Sequence, residues 1–295
     1  MRVVANGIGI EVDDAGPPDG EPLLLVMGLA MQLVAWPDEL LDALRRRGFR
    51  PIRFDNRDIG LSQWFDALGV PSVAWAALRY GLRLPVRAPY SLADMAADTV
   101  GVLDALGLPR VHLCGASMGG MIAQHVAAAH PGRVKSLTLM MTTSGARGLP
   151  PPAPAVRRAL LQRPRADDPA GALALMQQLL TLIASPAYPP QPQALRQRIA
   201  ASIERAYHPA GATRQLLAVI ADGDRSPLLR RIAAPTLVLH GRDDPLVRVA
   251  AAHDLVSKIA QAEIDVIPGW GHDLPPALMP RLADAIARHA ARAAG

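Results

Sequence analysis

The stretch Val111-His112-Leu113-Cys114-Gly115-Ala116-Ser117-Met118-Gly119-Gly120 sets a serine between two glycines, G-x-S-x-G, after an apolar run and before a helical one. A serine poised for attack on a carbonyl sits on a sharp strand-to-helix turn, where side chains two residues to either side would collide. Its hydroxyl then stands at a helix start, where the dipole favours developing negative charge. With ten serines and 24 glycines in 295 residues, chance supplies the pattern about 0.06 times. Ser117 is the candidate nucleophile.

A serine hydroxyl at its ordinary pKa needs a base, and the base needs an orienting acid. Of the eight histidines, His112 and His240 fall in or at predicted strands. His125, His130 and His253 fall on or beside predicted helices, and His208 in a proline-rich middle. His272 sits in a glycine-bounded loop after the last predicted strand, Pro268-Gly269-Trp270-Gly271-His272-Asp273. Asp243 and Asp244 follow the preceding strand, in His240-Gly241-Arg242-Asp243-Asp244-Pro245. Residue chemistry leaves both open: one can hold the turn through its own amides while the other meets the imidazole. The earlier strand end, Met140 to Ser144, holds no carboxylate, and Asp273 points elsewhere unless its loop folds back.

The elements that must position these groups alternate. Asn6-Gly7 between Val3–Ala5 and Ile8–Val12 is a hairpin signal, because both turn residues tolerate positive φ. Strands are predicted at Leu23–Met27, Phe49–Phe54, Val111–Cys114, Val134–Met141, Thr236–His240 and Ala262–Ile267. Helices are predicted at Pro37–Arg47, Ser91–Gly107, Met118–Ala129, Arg248–Ile259 and Ala277–Ala291. Such alternation gives an α/β fold, a mostly parallel sheet with helices on both faces. Residues 144–227 hold many prolines and helical pieces such as Gly171–Ile183. They read as a helical cap inserted between core strands, dividing the chain into a core of 1–143 and 228–295 and a cap of 144–227.

Composition narrows the function classes. Half the residues are hydrophobic and 19% are charged, ample for a core. The net charge is +5, but only Lys135 and Lys258 are lysines, the arginines are scattered and aromatics make up 4%. Stacking platforms for nucleic acid are therefore not expected. The longest apolar run, Pro22 to Trp36, is broken by Gly28 and Gln32, short of a spanning helix. No leader pattern opens the chain. A cytoplasmic protein without membrane or nucleic-acid partners is expected. Its one cysteine, Cys114, makes no internal disulfide and reads as inert on a buried strand. Nothing has metal-ligand spacing, and neither metal nor cofactor is expected.

Taken together, Leu24-Leu25-Val26-Met27-Gly28, Asp55-Asn56-Arg57-Asp58-Ile59-Gly60-Leu61-Ser62, Gly115 to Gly120 and Ile267 to His272 resemble the α/β-hydrolase superfamily, and within it bacterial esterases of the aclacinomycin methylesterase type. The resemblance spans 1–145 and 227–291. It implies Ser117 as nucleophile, His272 as base and Asp244 as acid, with the backbone N–H groups of Leu29 and Met118 as the oxyanion hole. It implies a serine esterase acting on a small-molecule ester through an acyl-enzyme. The same groups can run perhydrolysis, C–C or amide hydrolysis or acyl transfer, and a slow-turnover ligand-binding protein can keep the same fold. Many relatives have His-Gly where this chain has Met27-Gly28, so a polar support for that loop is missing. Gly28 and Met31 on that loop, and Trp270 beside His272, are the candidate substrate contacts. Asp55 to Ser62 reads as a charged turn held by its own hydrogen bonds rather than as catalytic. Trp36, Trp64 and Trp75 read as core or lid packing, as do Met27, Met118 and Met121. Oligomeric state is left open.

Overall fold

The computed structural model describes residues 1–14, 16–162 and 168–293. The strands, in chain order, are β1 (Arg2–Ala5), β2 (Ile8–Asp14), β3 (Glu21–Val26), β4 (Phe49–Phe54), β5 (Val111–Ala116), β6 (Val134–Met140), β7 (Thr236–Gly241) and β8 (Ala262–Ile267). They form an eight-stranded sheet in the order β1-β2-β4-β3-β5-β6-β7-β8. β1 and β2 make the antiparallel hairpin, with Asn6 at φ +49° and Gly7 at φ +77° in its turn. From β4 to β8 across the sheet every pair is parallel. β5 and β7 are buried along their whole length, as strands covered on both faces must be.

The helices are α1 (Asp38–Arg45), α2 (Val73–Gly81), α3 (Leu92–Ala105), α4 (Met118–Ala129), α5 (Pro154–Leu161), α6 (Pro169–Ile183), α7 (Pro192–Arg205), α8 (Pro209–Asp222), α9 (Ser226–Leu229), α10 (Ala250–Lys258) and α11 (Met279–Ala293). Two apolar clusters flank the sheet. One gathers α3, α4 and α10 through residues such as Leu103, Ile122 and Leu255. The other gathers α1 and α11 through Trp36, Leu40, Leu282 and Ile286. α3 begins at a capping box: Ser91 Oγ accepts from the Asp94 N–H, and the Asp94 carboxylate accepts from the Ser91 N–H.

The connection from β6 to β7 carries α5 through α9, so the proline-rich middle is a helical excursion between neighbouring parallel strands. Residues 163–167 of the expected cap lie outside the described residues. The other excursion, Gln63–Tyr90, holds α2, which the sequence reading left unassigned. Trp64, though 43% exposed, packs as a lid residue, its ring stacked on that of His208 at 4.0 Å between centroids. The expectation for Trp75 is corrected: at 59% exposed it is not a packed residue. Trp36 is wholly buried. Among the described residues no helix is long and apolar enough to cross a membrane.

Candidate active site

β5, β7 and β8 all point their carboxyl ends the same way, so the segments that follow them converge on one edge of the sheet. Ser117 follows β5 directly and has φ +54°, in the left-handed region that side chains other than glycine seldom adopt. The flanking glycines make this possible. A Cβ on Gly115 would stand 2.3 Å from the Gly119 carbonyl oxygen, and one on Gly119 would stand 2.0 Å from that of Val26. β6 braces the strained residue: the Ser117 N–H donates to the Met140 carbonyl (2.9 Å), and Thr142 Oγ1 donates to the Ser117 carbonyl (2.7 Å).

The His272 Nε2 lies 3.1 Å from Ser117 Oγ, and its Nδ1 lies 2.6 Å from Asp244 Oδ2. An ionised carboxylate only accepts, so Nδ1 carries the proton and Nε2 is free to take one from the hydroxyl. Asp244 is 1% exposed, and burial strengthens its hold on the ring. The other Asp244 oxygen, Oδ1, accepts from the N–H groups of Leu246 and Val247, both at 2.8 Å. One aspartate thus both holds the turn and meets the imidazole. Asp243 takes neither part; exposed, it accepts from the Gly269 N–H (2.7 Å) and ties the acid turn to the histidine loop. Asp273 does point elsewhere, accepting from the N–H and hydroxyl of Ser185, and burial raises its pKa above the usual carboxylate range.

His240 was assigned no role from sequence, yet it stands under this acid turn. It is wholly buried, its Nε2 donates to the Val247 carbonyl (2.7 Å), and that nitrogen lies 3.6 Å from Asp244 Oδ2. Burial lowers its pKa, which favours the neutral ring. Its Nδ1 has no hydrogen-bond partner, the form a neutral ring with Nε2 protonated should take.

On the other side of Ser117 runs the loop after β3. A Cβ on Gly28 would lie 3.1 Å from Ser117 Cβ, so the loop and Ser117 touch. Among the described residues the N–H groups of Leu29 and Met118 enter no hydrogen bond. The support expected to be missing with Met27 comes from farther away. Asn56 Nδ2 donates to the Met27 carbonyl (2.9 Å), and the Leu33 N–H donates to Asp55 Oδ1 (2.7 Å). Gln215 Oε1, on α8, accepts from the Ala30 N–H (3.0 Å). Gln32 Nε2 donates to the carbonyls of Ser202 and Ala206, at 2.6 and 2.8 Å. The bracing role of Asn56, Gln32 and Gln215 was not read from the sequence for a physical reason: their partners lie 29, 170 to 174 and 185 positions away. The charged turn Asp55–Ser62 is held in part by its own hydrogen bonds, as expected, but its charges are paired from outside it. Arg57 pairs with Asp98 (2.5 Å) and Ser62 Oγ donates to the Asp55 carbonyl (2.6 Å), while Asp55 pairs with Arg205 (2.8 Å) and Asp58 with Arg214 (2.8 Å) of the excursion.

The candidate substrate contacts divide. Gly28 abuts Ser117, and Met31 is half-buried against the α1–α11 cluster. Trp270 is corrected. It is wholly buried, its indole N–H donates to the Asp273 carbonyl (2.7 Å), and it packs in the core beneath the histidine loop, with no surface left for a substrate. Met27, Met118 and Met121 are core residues. Cys114 is fully buried, and burial pushes its thiol up to about 12. Among the described residues no group of three or more His, Cys, Asp or Glu side chains is placed to hold a metal ion.

Comparison with known proteins agrees with this architecture. Residues 21–275 match the family model described as alpha/beta hydrolase fold. RutD of Variovorax paradoxus (strain S110), whose name points to carbamate hydrolysis, is 31% identical over 87% of this chain and 86% of its own. The rhodomycin D methylesterase DauP of Streptomyces sp. (strain C5) is 28% identical over 93% of this chain and 92% of its own. A meta-cleavage product hydrolase from Pseudomonas fluorescens IP01 superposes with a TM-score of 0.76 over 99% of this chain and 98% of its own; at 19% identity it speaks for the fold alone. The chain belongs to the alpha/beta hydrolase family.

Proposed function

We propose that the chain is a serine hydrolase that cleaves a carboxylic ester of a small molecule through Ser117, His272 and Asp244. The observation that carries this is the unbroken line of hydrogen bonds from Asp244 Oδ2 through the His272 ring to Ser117 Oγ. Ser117 Oγ attacks the acyl carbon as its proton passes to His272 Nε2, and Asp244 favours the imidazolium so formed. The unpaired N–H groups of Leu29 and Met118 receive the negative charge on the acyl oxygen; one such donor is worth about 3 kcal/mol to the transition state. The imidazolium returns its proton to the leaving alcohol, and water then attacks the acyl-enzyme with His272 as base. Residues 144–227 serve as the cap over this edge and choose among acyl and alcohol groups.

The methylesterase likeness along 93% of the chain favours an ester. A second reading, carbamate hydrolysis by the same three residues, takes its support from the 31% identity to RutD. A steady-state screen over carboxylic esters of graded size, with matched carbamates, separates the two. Ester turnover is expected, with Ser117→Ala lowering kcat by about 10³-fold or more while the fold is kept. A fluorophosphonate probe is expected to label Ser117 and no other serine. Labelling elsewhere, or multiple turnover by Ser117→Ala at the parent rate, overturns the reading.

A further inference from the structure

The loop that carries Leu29 has a shape its own residues do not account for. The Met31 N–H donates to the Gly28 carbonyl (3.3 Å), closing a tight turn with Leu29 and Ala30 at its centre. Ala30 has φ +61°. Positive φ at the third position is the mark of a type II turn, where glycine is the ordinary occupant. Alanine there is strained relative to a type I turn, reached by rotating the central peptide, in which the same residue returns to negative φ. Some contact must hold the Leu29–Ala30 peptide in the less favourable orientation.

That contact comes from the excursion between β6 and β7. The Ala30 N–H donates to Gln215 Oε1 (3.0 Å), while Gln215 Nε2 donates to the Arg57 carbonyl (2.9 Å). An N–H on one side and a carbonyl on the other allow only this orientation of the amide. Gln215 is wholly buried and has no water to turn to. The far end of the loop is tied to the same excursion, through Gln32 on the carbonyls of Ser202 and Ala206.

We propose that Gln215 is a positioning residue for the hydrolysis: from α8 it holds the Gly28–Met31 turn in its type II form, and so fixes the loop on which the Leu29 N–H stands. The excursion then assembles part of the oxyanion hole as well as selecting substrates. This rests on the serine-hydrolase reading, and the experiment keeps the two apart.

Gln215→Met keeps the length of the side chain and removes both hydrogen bonds. It is expected to lower kcat for the smallest ester by about 10- to 100-fold, part of the effect of losing an oxyanion donor outright, with KM changed less than about threefold. Adding Ala30→Gly to Gln215→Met should restore most of that kcat, because glycine takes positive φ without an external acceptor. General loosening of the excursion would not be repaired by a change at residue 30. Gln215→Asn, which stays polar but is one carbon too short to reach Ala30, carries the same expectation should the methionine variant fail to fold. Parent-like kcat in either folded variant overturns the proposal, as does a loss of kcat that Ala30→Gly leaves unrepaired. If the parent protein turns over no ester, the hydrolase reading fails by itself. The rate of Ser117 phosphonylation by a fluorophosphonate, which draws on the same N–H groups, still reads the Gln215 effect.

Discussion

Two segments face each other across Ser117, and they are held by opposite means. The elbow, Gly115 to Gly120, is fixed by contacts within itself and with the strand ends beside it: Gly115 lies against Gly119, and Gly119 against Val26. The loop from Met27 to Leu33 is fixed by Asn56, Asp55, Gln215 and the end of α7, none of them a chain neighbour. Steric exclusion by backbone cannot be relaxed by moving a side chain, whereas each remote hydrogen bond can be deleted separately for about 1 kcal/mol. Damage to the elbow should therefore remove fold and chemistry together. Damage to the loop should remove chemistry first.

The acid turn belongs with the elbow in this respect, since Asp244 accepts from the amides of its own turn. Asp244→Asn leaves an oxygen for those amides but sets an NH₂ against His272 Nδ1–H, favouring the wrong tautomer. A fall in kcat of about 10⁴-fold is expected in stopped-flow or steady-state assays, with little change in melting temperature. Asp243→Asn keeps an acceptor for the Gly269 N–H and should lie within a few-fold of the parent. The opposite ranking would transfer the role to Asp243.

Gly119→Ala tests the steric side directly. Its Cβ would stand 2.0 Å from a backbone oxygen that cannot swing aside. A loss of about 3 kcal/mol in denaturant titration is expected, with probe labelling of Ser117 lost in parallel. A stable Gly119→Ala protein of low activity would mean that the elbow is softer than this geometry requires. Asn56→Ala tests the remote side. Removing the donor to the Met27 carbonyl should cost about 1–2 kcal/mol and lower kcat roughly tenfold, with KM nearly constant. Equal losses in kcat/KM and stability for both variants would erase the distinction between the segments.

The same division governs how much was legible in the sequence. Ser117, with its glycines, and the strand and helix around it are local: β5, α4 and β8 fall where the pattern of apolar residues, glycine and proline put them. Trp270 misled because proximity in sequence to His272 was taken for proximity to substrate, whereas its ring is buried in the core with its indole N–H on the Asp273 carbonyl. Asp243 and Asp244 could not be separated by residue chemistry, because the distinction is which carboxylate the turn directs inward. Gln215 carries no signal, and Asn56 only that of the motif it sits in, because both are amides whose partners are set by tertiary packing. His240 offered a faint one, a histidine ending a buried strand, and its function depends on a carbonyl seven residues away.

The smallest expected effect on the reaction comes from the other end of the strand that leads into Ser117. His112 lies near the start of β5, 4% exposed, with Nδ1 2.7 Å from Ser136 Oγ and an edge-on ring contact with Phe49. Burial lowers its pKa from the ordinary 6.5 to about 4. Between those values the unfolded chain binds a proton that the folded chain refuses, so stability rises with pH across that window. The contribution is complete above 6.5 and is lost as pH falls toward 4, with about 1–2 kcal/mol gone by pH 5. Burial lowers His240 and His289 as well, which adds slope of the same sign. His112→Asn has no proton to gain and keeps an amide within reach of Ser136. Denaturant titrations from pH 7 to pH 5 should show a shallower decline for the variant than for the parent. Its profile of kcat against pH should overlay the parent's, because no contact of His112 touches Ser117, His272 or Asp244. A shifted activity profile would mean that β5 transmits charge from one end to the other, and the separation of scaffold from site along this strand would then have to be abandoned.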